Sequence, residues 1–209
     1  MERVLTNSQM RTADAYTINK CGVSAQLLMS RAGKAIADEV ERAAKELKIQ
    51  KILVVCGTGN NGGDGYVCAQ ALSDRGFAVN VYAFEGKLSN DCAIVKQTFK
   101  GGYTSEIKGG IIVDCIFGTG LDRPTEGKYS EIINAINTSG AYIVSADIPS
   151  GLNGDNGLAL GCAVKADLTV AIAEYKAGHF LGDGLDLCGK LIKKDIGISC
   201  PPDGFIQIY

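Results

Sequence analysis

The 209-residue chain predicts an α/β fold of three layers, α-β-α, with a mostly parallel central sheet covered by helices on both faces. Four short runs rich in Val and Ile, the first at Lys51–Cys56, are separated by helical patterns of about ten residues. These runs are apolar throughout rather than alternating, as in strands buried on both faces. Glycine, at 27 residues, is the clear excess, and many glycines directly follow the apolar runs. That is where a parallel sheet places its ligand-binding loops.

The elements follow in order. Thr6, Asn7 and Ser8 offer N-cap oxygens for a helix over Gln9–Lys20, stopped at Gly22. Ser24 caps a longer helix whose apolar positions Leu28, Ala32, Ile36 and Val40 share one face. It fades in the charged stretch Glu41–Lys48. Lys51–Cys56 is the first strand, Gly63–Arg75 a helix and Ala78–Phe84 a strand. Asn90–Lys100 is a helix capped by Ser89 or Asn90, Ile111–Ile116 a strand, Tyr129–Asn137 a helix and Ala141–Ala146 a strand. Leu168–Ala173 is a late strand and Leu191–Ile196 an edge strand. After two leading helices the order is β-α-β-α-β-α-β-β-β, a Rossmann-like arrangement. With no repeat, linker or low-complexity segment, residues 1–209 form one domain. The tail Pro201–Tyr209 reads as a surface arm or the start of a further segment.

Composition narrows the function. Apolar residues are 46% and charged residues 21%, ordinary for a globular protein, and the net charge is −2 with Lys and Arg scattered. No basic face argues for nucleic acid. No apolar stretch approaches the roughly 20 residues of a membrane helix, and MERVLTNSQM lacks the apolar core of a signal peptide. Cytoplasm is the expected compartment. The eight cysteines form no C-x-x-C pair and read as reduced, mostly core residues. The one histidine, His179, argues against a His-rich zinc site or a serine-hydrolase triad.

Three strand ends carry chemistry. The first strand runs into Gly-Thr-Gly-Asn60-Asn61-Gly62-Gly63-Asp64, combining close backbone approach, amide donors and a carboxylate. Asp64 is either a helix N-terminal anion or a group touching ribose hydroxyls or a reacting ring. Asp114 lies inside the apolar run IIVDCIF, so its charge needs a partner: loop N–H groups, or a hard, oxygen-ligated cation. Asn61, Asp114 and Ser150 each offer one oxygen from adjacent loops. Asp147 opens the turn Asp-Ile-Pro-Ser-Gly, stiffened by Pro149, and is either a turn cap or a general acid/base. Lys176 reaches a phosphate or is simply solvated, and His179 is a structural or surface residue.

GNNGGDG, VDCIFGTGL and DIPSGLNGD, in this order, resemble the YjeF N-terminal domain family, the NAD(P)H-hydrate epimerases. The leading helices, with Gln9-Met10, Asp14 and Leu27-Leu28-Met29, fit as well, and AEYKAGHFLGDGLDLCG fits loosely. The resemblance runs from about Thr6 to Ile198. It implies an isomerase that interconverts the R and S epimers of NADHX and NADPHX, which a partner dehydratase then repairs. It implies Asn60, Asn61, Gly62, Gly63 and Asp64 as one substrate loop. Gly118, Thr119, Gly120, Leu121, Asp122, Arg123 and Pro124 form a second, and Asp147 contacts substrate. It implies one potassium ion (K+) per subunit on Asn61, Asp114 and Ser150, and a homodimer through the leading helices. Ile196-Gly197-Ile198 resembles the junction to a dehydratase domain in bifunctional relatives. Loss of the hydroxyl to an iminium-like ring and ring opening are both open routes, with Asp147 the candidate acid/base. The alternative reading is a non-catalytic binding or scaffold module of the same fold; the loop carboxylates Asp64, Asp114 and Asp147 argue against it.

Overall fold

A computed structural model describes residues 2–201, so the tail beyond Pro201 lies outside the described residues. In chain order the elements are β1 (Val4–Leu5), α1 (Asn7–Asn19), α2 (Ala25–Leu47), β2 (Lys51–Cys56), α3 (Asn60–Asp74), β3 (Ala78–Ala83), α4 (Asn90–Thr98) and β4 (Gly102–Tyr103). There follow β5 (Ile111–Cys115), α5 (Lys128–Asn137), β6 (Tyr142–Ala146), β7 (Leu168–Ile172), β8 (Tyr175–Lys176), α6 (Gly184–Leu187) and β9 (Lys190–Lys194), with one 3₁₀ turn at Ala177–His179.

The helix starts follow local chemistry. Thr6 Oγ1 accepts from the Gln9 N–H at 3.2 Å, and Gln9 Oε1 accepts from the Thr6 N–H at 2.8 Å, a reciprocal cap that fixes the entry to α1. Ser24 caps α2 through the Leu27 N–H and Ser89 caps α4 through the Cys92 N–H. α2 ends at Lys48, which turns left-handed at φ 57° while its N–H reaches the Ala44 carbonyl. Helix α3 begins three residues before the expected Gly63. Its N-cap is Gly59, whose carbonyl accepts from Gly63 N–H at 3.2 Å, so the Asn-Asn-Gly-Gly stretch is the first helical turn rather than loop.

Seven strands pair in the order β4-β3-β2-β5-β6-β7-β9, every pair parallel. The chain leaves β2 toward β3 on one side and leaves β5 toward β6 on the other. The carboxyl ends of β2 and β5 therefore form the switch point where such sheets open a crevice. Alternation divides the core. Ile52, Val54, Ile111, Val113, Val144 and Val170 pack against α2 and α3, whereas Leu53, Val55 and Ile112 pack against Ile132, Ile133 and Ile136 of α5. The three layers expected from the continuous apolar runs are present. All eight cysteines are free thiols, five of them buried.

Some elements went unforeseen because they are short. β1 and β8 pair in parallel as a separate two-residue ladder, Val4 beside Tyr175 and Leu5 beside Lys176. Two residues carry no periodicity. That ladder anchors the N-terminus next to the last segment of the sheet edge.

Backbone crowding sets the switch point. A Cβ on Gly57 would overlap the Ile116 carbonyl, and one on Gly62 would overlap the Gly57 carbonyl. Gly120, in the loop after β5, faces open space. Gly62→Ala is expected to lower the urea unfolding free energy by about 1–3 kcal/mol through overpacking. Gly120→Ala should change it by less than about 0.5 kcal/mol. Equal stability of the two variants would sink the distinction.

Candidate active site

Asp114 is fully buried in β5, beside Ser145 of β6 in register. Its Oδ1 accepts from the Ile116 N–H at 3.2 Å and the Ser150 hydroxyl at 2.5 Å. Its Oδ2 accepts from the Ser145 hydroxyl at 2.8 Å and the Ser150 N–H at 2.9 Å. Burial pushes its carboxyl up, and these four hydrogen bonds pull it back. The Ser150 hydroxyl in turn accepts from the Phe117 N–H at 2.8 Å. The carboxylate thus ties the loop after β5 to the loop after β6.

Asn61, in the first turn of α3, is buried, and neither its Oδ1 nor its Nδ2 has a hydrogen-bond partner among the described residues. An orphaned buried amide calls for a ligand. Asn61, Asp114 and Ser150 provide oxygen donors and one buried negative charge, a set that fits a hard cation held by oxygens and not a thiolate or imidazole metal. Among the described residues no group of three or more His, Cys, Asp or Glu is placed to hold a metal ion.

Asp147 follows β6. Its φ is 68°, and the Ile148 N–H bonds the Ala146 carbonyl at 2.8 Å across it, a three-residue γ-type turn. Ala173, at the end of the neighbouring β7, repeats the geometry, with φ 62° and Glu174 N–H on the Ile172 carbonyl at 2.9 Å. Non-glycine residues occupy this region at a cost, which concentrates at functional sites.

The partner of Asp147 is Lys176. The sequence suggested a solvated side chain or a phosphate ligand. Instead Lys176 is 1% exposed, its ammonium paired with Asp147 Oδ1 and donating to the Ile172 carbonyl at 2.8 Å. Lysine is buried there because β8 pairs with β1 and turns it inward, a placement dictated by tertiary contact. His179 proves structural rather than exposed. Its Nδ1 accepts from the Lys176 N–H at 3.1 Å, which puts the proton on Nε2, and Nε2 donates to the Asp147 carbonyl at 3.0 Å. One imidazole therefore holds both members of the ion pair. Burial, then the Lys176 charge, lowers it to about 4, so the ring is neutral.

Asn61, Asp147, Ala173 and Lys176 border one cavity of about 510 Å³, whereas Asp114, Ser150 and His179 are not among the residues lining it. Among the expected substrate residues, Asn60, Asn61, Asp64, Gly118, Thr119, Gly120, Leu121 and Asp147 line it. Gly62, Gly63, Asp122, Arg123 and Pro124 do not. Gly62 is packed against Gly57, and a Cβ on Gly63 would meet Met29, so both glycines sit at close packing contacts. Gly118 lies where Asn61 and Asp147 converge: a Cβ there would sit 3.3 Å from Asp147 Oδ2 and 3.5 Å from Asn61 Cβ. Asn60 Oδ1 accepts from the Ser89 hydroxyl at 2.6 Å, tying α3 to the start of α4.

Four carboxyl groups, Asp14, Asp64, Asp91 and Asp147, and the Lys176 ammonium line this space. Desolvation, with the charges of Asp147 and Asp14, pushes Asp64 well up. Asp14, on α1, escaped assignment from sequence. Met10, Asp14 and Ile18 line the cavity at four-residue intervals, so the helical period was the available signal.

The fold and this cavity define a Rossmann-like α/β protein with a carboxyl-lined cavity at the carboxyl edge of a parallel sheet. The chain belongs to the YjeF-related protein N-terminus family, which matches residues 25–178. It is 37% identical over 201 residues to an NAD(P)H-hydrate epimerase of Limosilactobacillus reuteri, covering 91% of this chain and 94% of that protein. It is 38% identical over 211 residues to a bifunctional NAD(P)H-hydrate repair enzyme of Thermofilum pendens, covering 90% of this chain and 39% of that one. The crystal structure of a yeast protein, 23% identical, shares the fold with a TM-score of 0.75 over 87% of this chain and 85% of its own.

Two measurements check the ion pair and its clamp. Asp147→Asn leaves the buried ammonium unpaired and should lose about 3–5 kcal/mol of stability. Adding Lys176→Met should restore most of that loss; a purely additive double variant would show that the two do not interact. For His179, the unfolded ring binds a proton near 6.5 and the folded ring near 4, so the unfolded state holds more protons between those values. Stability should therefore fall as pH drops from 6.5 toward 4, by on the order of 3 kcal/mol. His179→Gln lacks this slope, so the wild-type advantage over it should shrink between urea titrations at pH 7 and pH 4.5. An advantage independent of pH would refute the buried neutral ring.

Proposed function

We propose that this chain is an NAD(P)H-hydrate epimerase, an isomerase that interconverts R and S epimers of NADHX and NADPHX. The carrying observation is the Asp147–Lys176 ion pair, held in a strained turn on the wall of a cavity that also holds Asp14 and Asp64. The names of the full-length relatives support the same reading.

The reaction at the hemiaminal carbon needs no electron transfer. The C–O bond breaks as the ring nitrogen lone pair forms a C=N⁺ bond, and the departing hydroxyl takes a proton to leave as water. Water then adds to the other face and gives up a proton. Asp147 is the candidate group for carrying that proton. A carboxylate beside the ring, supplied when Asp14 or Asp147 is deprotonated, favours the cationic ring over the ring-opened route, because nearby negative charge stabilises an iminium. The same charge disfavours phosphate at that end. The pyrophosphate suits the uncapped N-terminus of α3 at Gly59–Asn61 and the open backbone at Thr119-Gly120, where free N–H donors meet an anion.

Potassium would be held by Asn61, Asp114 and Ser150. The orphaned Asn61 amide and the buried Asp114 charge support this ligand set. Its contribution would be to balance that charge and to order the switch-point loops. We infer further that the S product passes to a dehydratase, that two copies associate through the leading helices, and that the protein works in the cytoplasm. Among the described residues no helix is long and apolar enough to cross a membrane.

The test follows R-NADHX alone and with purified dehydratase, in potassium and in sodium. Wild-type protein should accelerate loss of the R epimer, and Asp147→Asn should slow it by about 10²-fold or more. Sodium in place of potassium should weaken binding or rate, and Asn61→Ala should remove that dependence. A wild-type chain that leaves the R epimer at its spontaneous rate would refute the proposal.

A further inference from the structure

Asp14 is a carboxyl group without a partner. It projects from α1, is half-buried, and borders the cavity together with Asp147 and Lys176. Among the described residues its side chain makes no hydrogen bond or ion pair, unlike Asp114, whose carboxylate accepts four hydrogen bonds. A half-buried carboxyl left unsatisfied is a cost to folding, and such groups persist where a ligand or a proton uses them.

Its surroundings differ from those of Asp147. Asp147 is paired with an ammonium and fixed by its turn; Asp14 faces the cavity with no cation bonded to it. Burial first and the Asp147 charge second raise Asp14 to about 6, with Lys176 opposing. The other charged groups bordering the cavity are Arg11 on the same helix, Asp64 on α3 and Asp91 on α4. Two carboxyl groups held in unlike environments within one cavity divide naturally into an acid and a base. The wall also matters. Asp147 comes from the sheet edge and Asp14 from the leading helix, so the two can serve different faces of a planar ring.

Resting on the epimerase reading above, we propose that Asp14 is a second catalytic acid/base, acting from the α1 wall on the ring face opposite Asp147. In the R-to-S direction one of the two carboxylic acids protonates the departing hydroxyl. The C–O bond breaks, the ring nitrogen lone pair forms the iminium, and the first carboxylate is left behind. Water attacks the other face and its proton passes to the second carboxylate. The pair ends with its protonation exchanged, poised for the reverse direction, and solvent resets it. No oxidant or reductant enters.

The experiment measures kcat and KM for R-NADHX from pH 5 to 8.5 for the wild type, Asp14→Asn and Asp14→Glu. The wild-type kcat should show a limb near pH 6. Asp14→Asn should lower kcat by about 10²-fold or more, change KM little, and lose that limb. Asp14→Glu should restore the limb and part of the rate. Circular dichroism and thermal unfolding of each variant separate a folding defect from a catalytic one, and an Asp14→Glu protein that folds at wild-type stability without regaining the limb overturns the proposal. So does an Asp14→Asn protein with wild-type kcat, or one that keeps the limb, which would assign it to Asp64. An inactive wild type would remove the epimerase reading itself, whereas an active wild type with a fully active Asp14→Asn removes Asp14 alone.

Discussion

The geometry of the site rests on one buried charge. Asp114 sits in the middle of the sheet with no exposure, and a carboxylate there is tolerable only if its oxygens are saturated. Four donors saturate it, and two belong to Ser150. The loop after β6 therefore cannot move without stranding a charge in the core. Because Ser150 also holds the Phe117 N–H, the loop after β5 is bound to the same point. The loop after β2 joins by backbone contact at Gly57, where the missing side chain lets it touch Ile116. Three loops from three strands share one anchor, and the cavity is the space they leave.

That anchoring explains how strain survives nearby. Two adjacent strands, β6 and β7, end in γ-type turns at Asp147 and Ala173, each with positive φ. Such turns are rare in non-glycine residues and would relax in a loose loop. Here Ser150 fixes the chain three residues after Asp147, and the His179 ring holds the Asp147 carbonyl. The Lys176 ammonium bonds Asp147 and the Ile172 carbonyl, so one cation spans the ends of both strands. A desolvated pair like this is poor evidence for stability, since burying two charges offsets much of their attraction. Its value is a carboxylate with one orientation.

Much of this was legible in the sequence. Continuous Val- and Ile-rich runs announced a sheet buried on both faces, and β2 begins and ends at the expected residues. Asp114 and Asp147 stood out because a carboxylate inside or directly after such a run contradicts its apolar context. What stayed hidden was decided by long-range contact. Lys176 reads as a surface lysine until β8 is known to pair with β1, from the far end of the chain. Asn60–Gly62 read as loop because glycine and asparagine are poor helix formers, yet the stretch opens a helix. Tertiary packing overrode that propensity: Gly62 and Gly63 are required where α3 meets Gly57 and Met29.

The glycines of that turn and the unpaired amide between them answer the same constraint. For Asn61 to reach the switch point, α3 must start close against the end of β2, and only residues without Cβ atoms permit that approach at Gly62 and Gly65, the latter seated on Cys56 and Cys115. The close seating drives Asn61 to 8% exposure, and its amide reaches no protein partner. A sequence selected for stability alone would fill the position with an apolar side chain, because a buried unsatisfied amide costs about 1–3 kcal/mol. The asparagine leaves its amide available to a ligand in the cavity it lines. Asp64, one turn further along, is half-buried and lines the same cavity, and its carboxyl is pushed up by desolvation and by Asp147. Helix α3 thus presents an orphaned amide at Asn61 and a carboxyl group at Asp64, and the packing glycines bring both to the cavity.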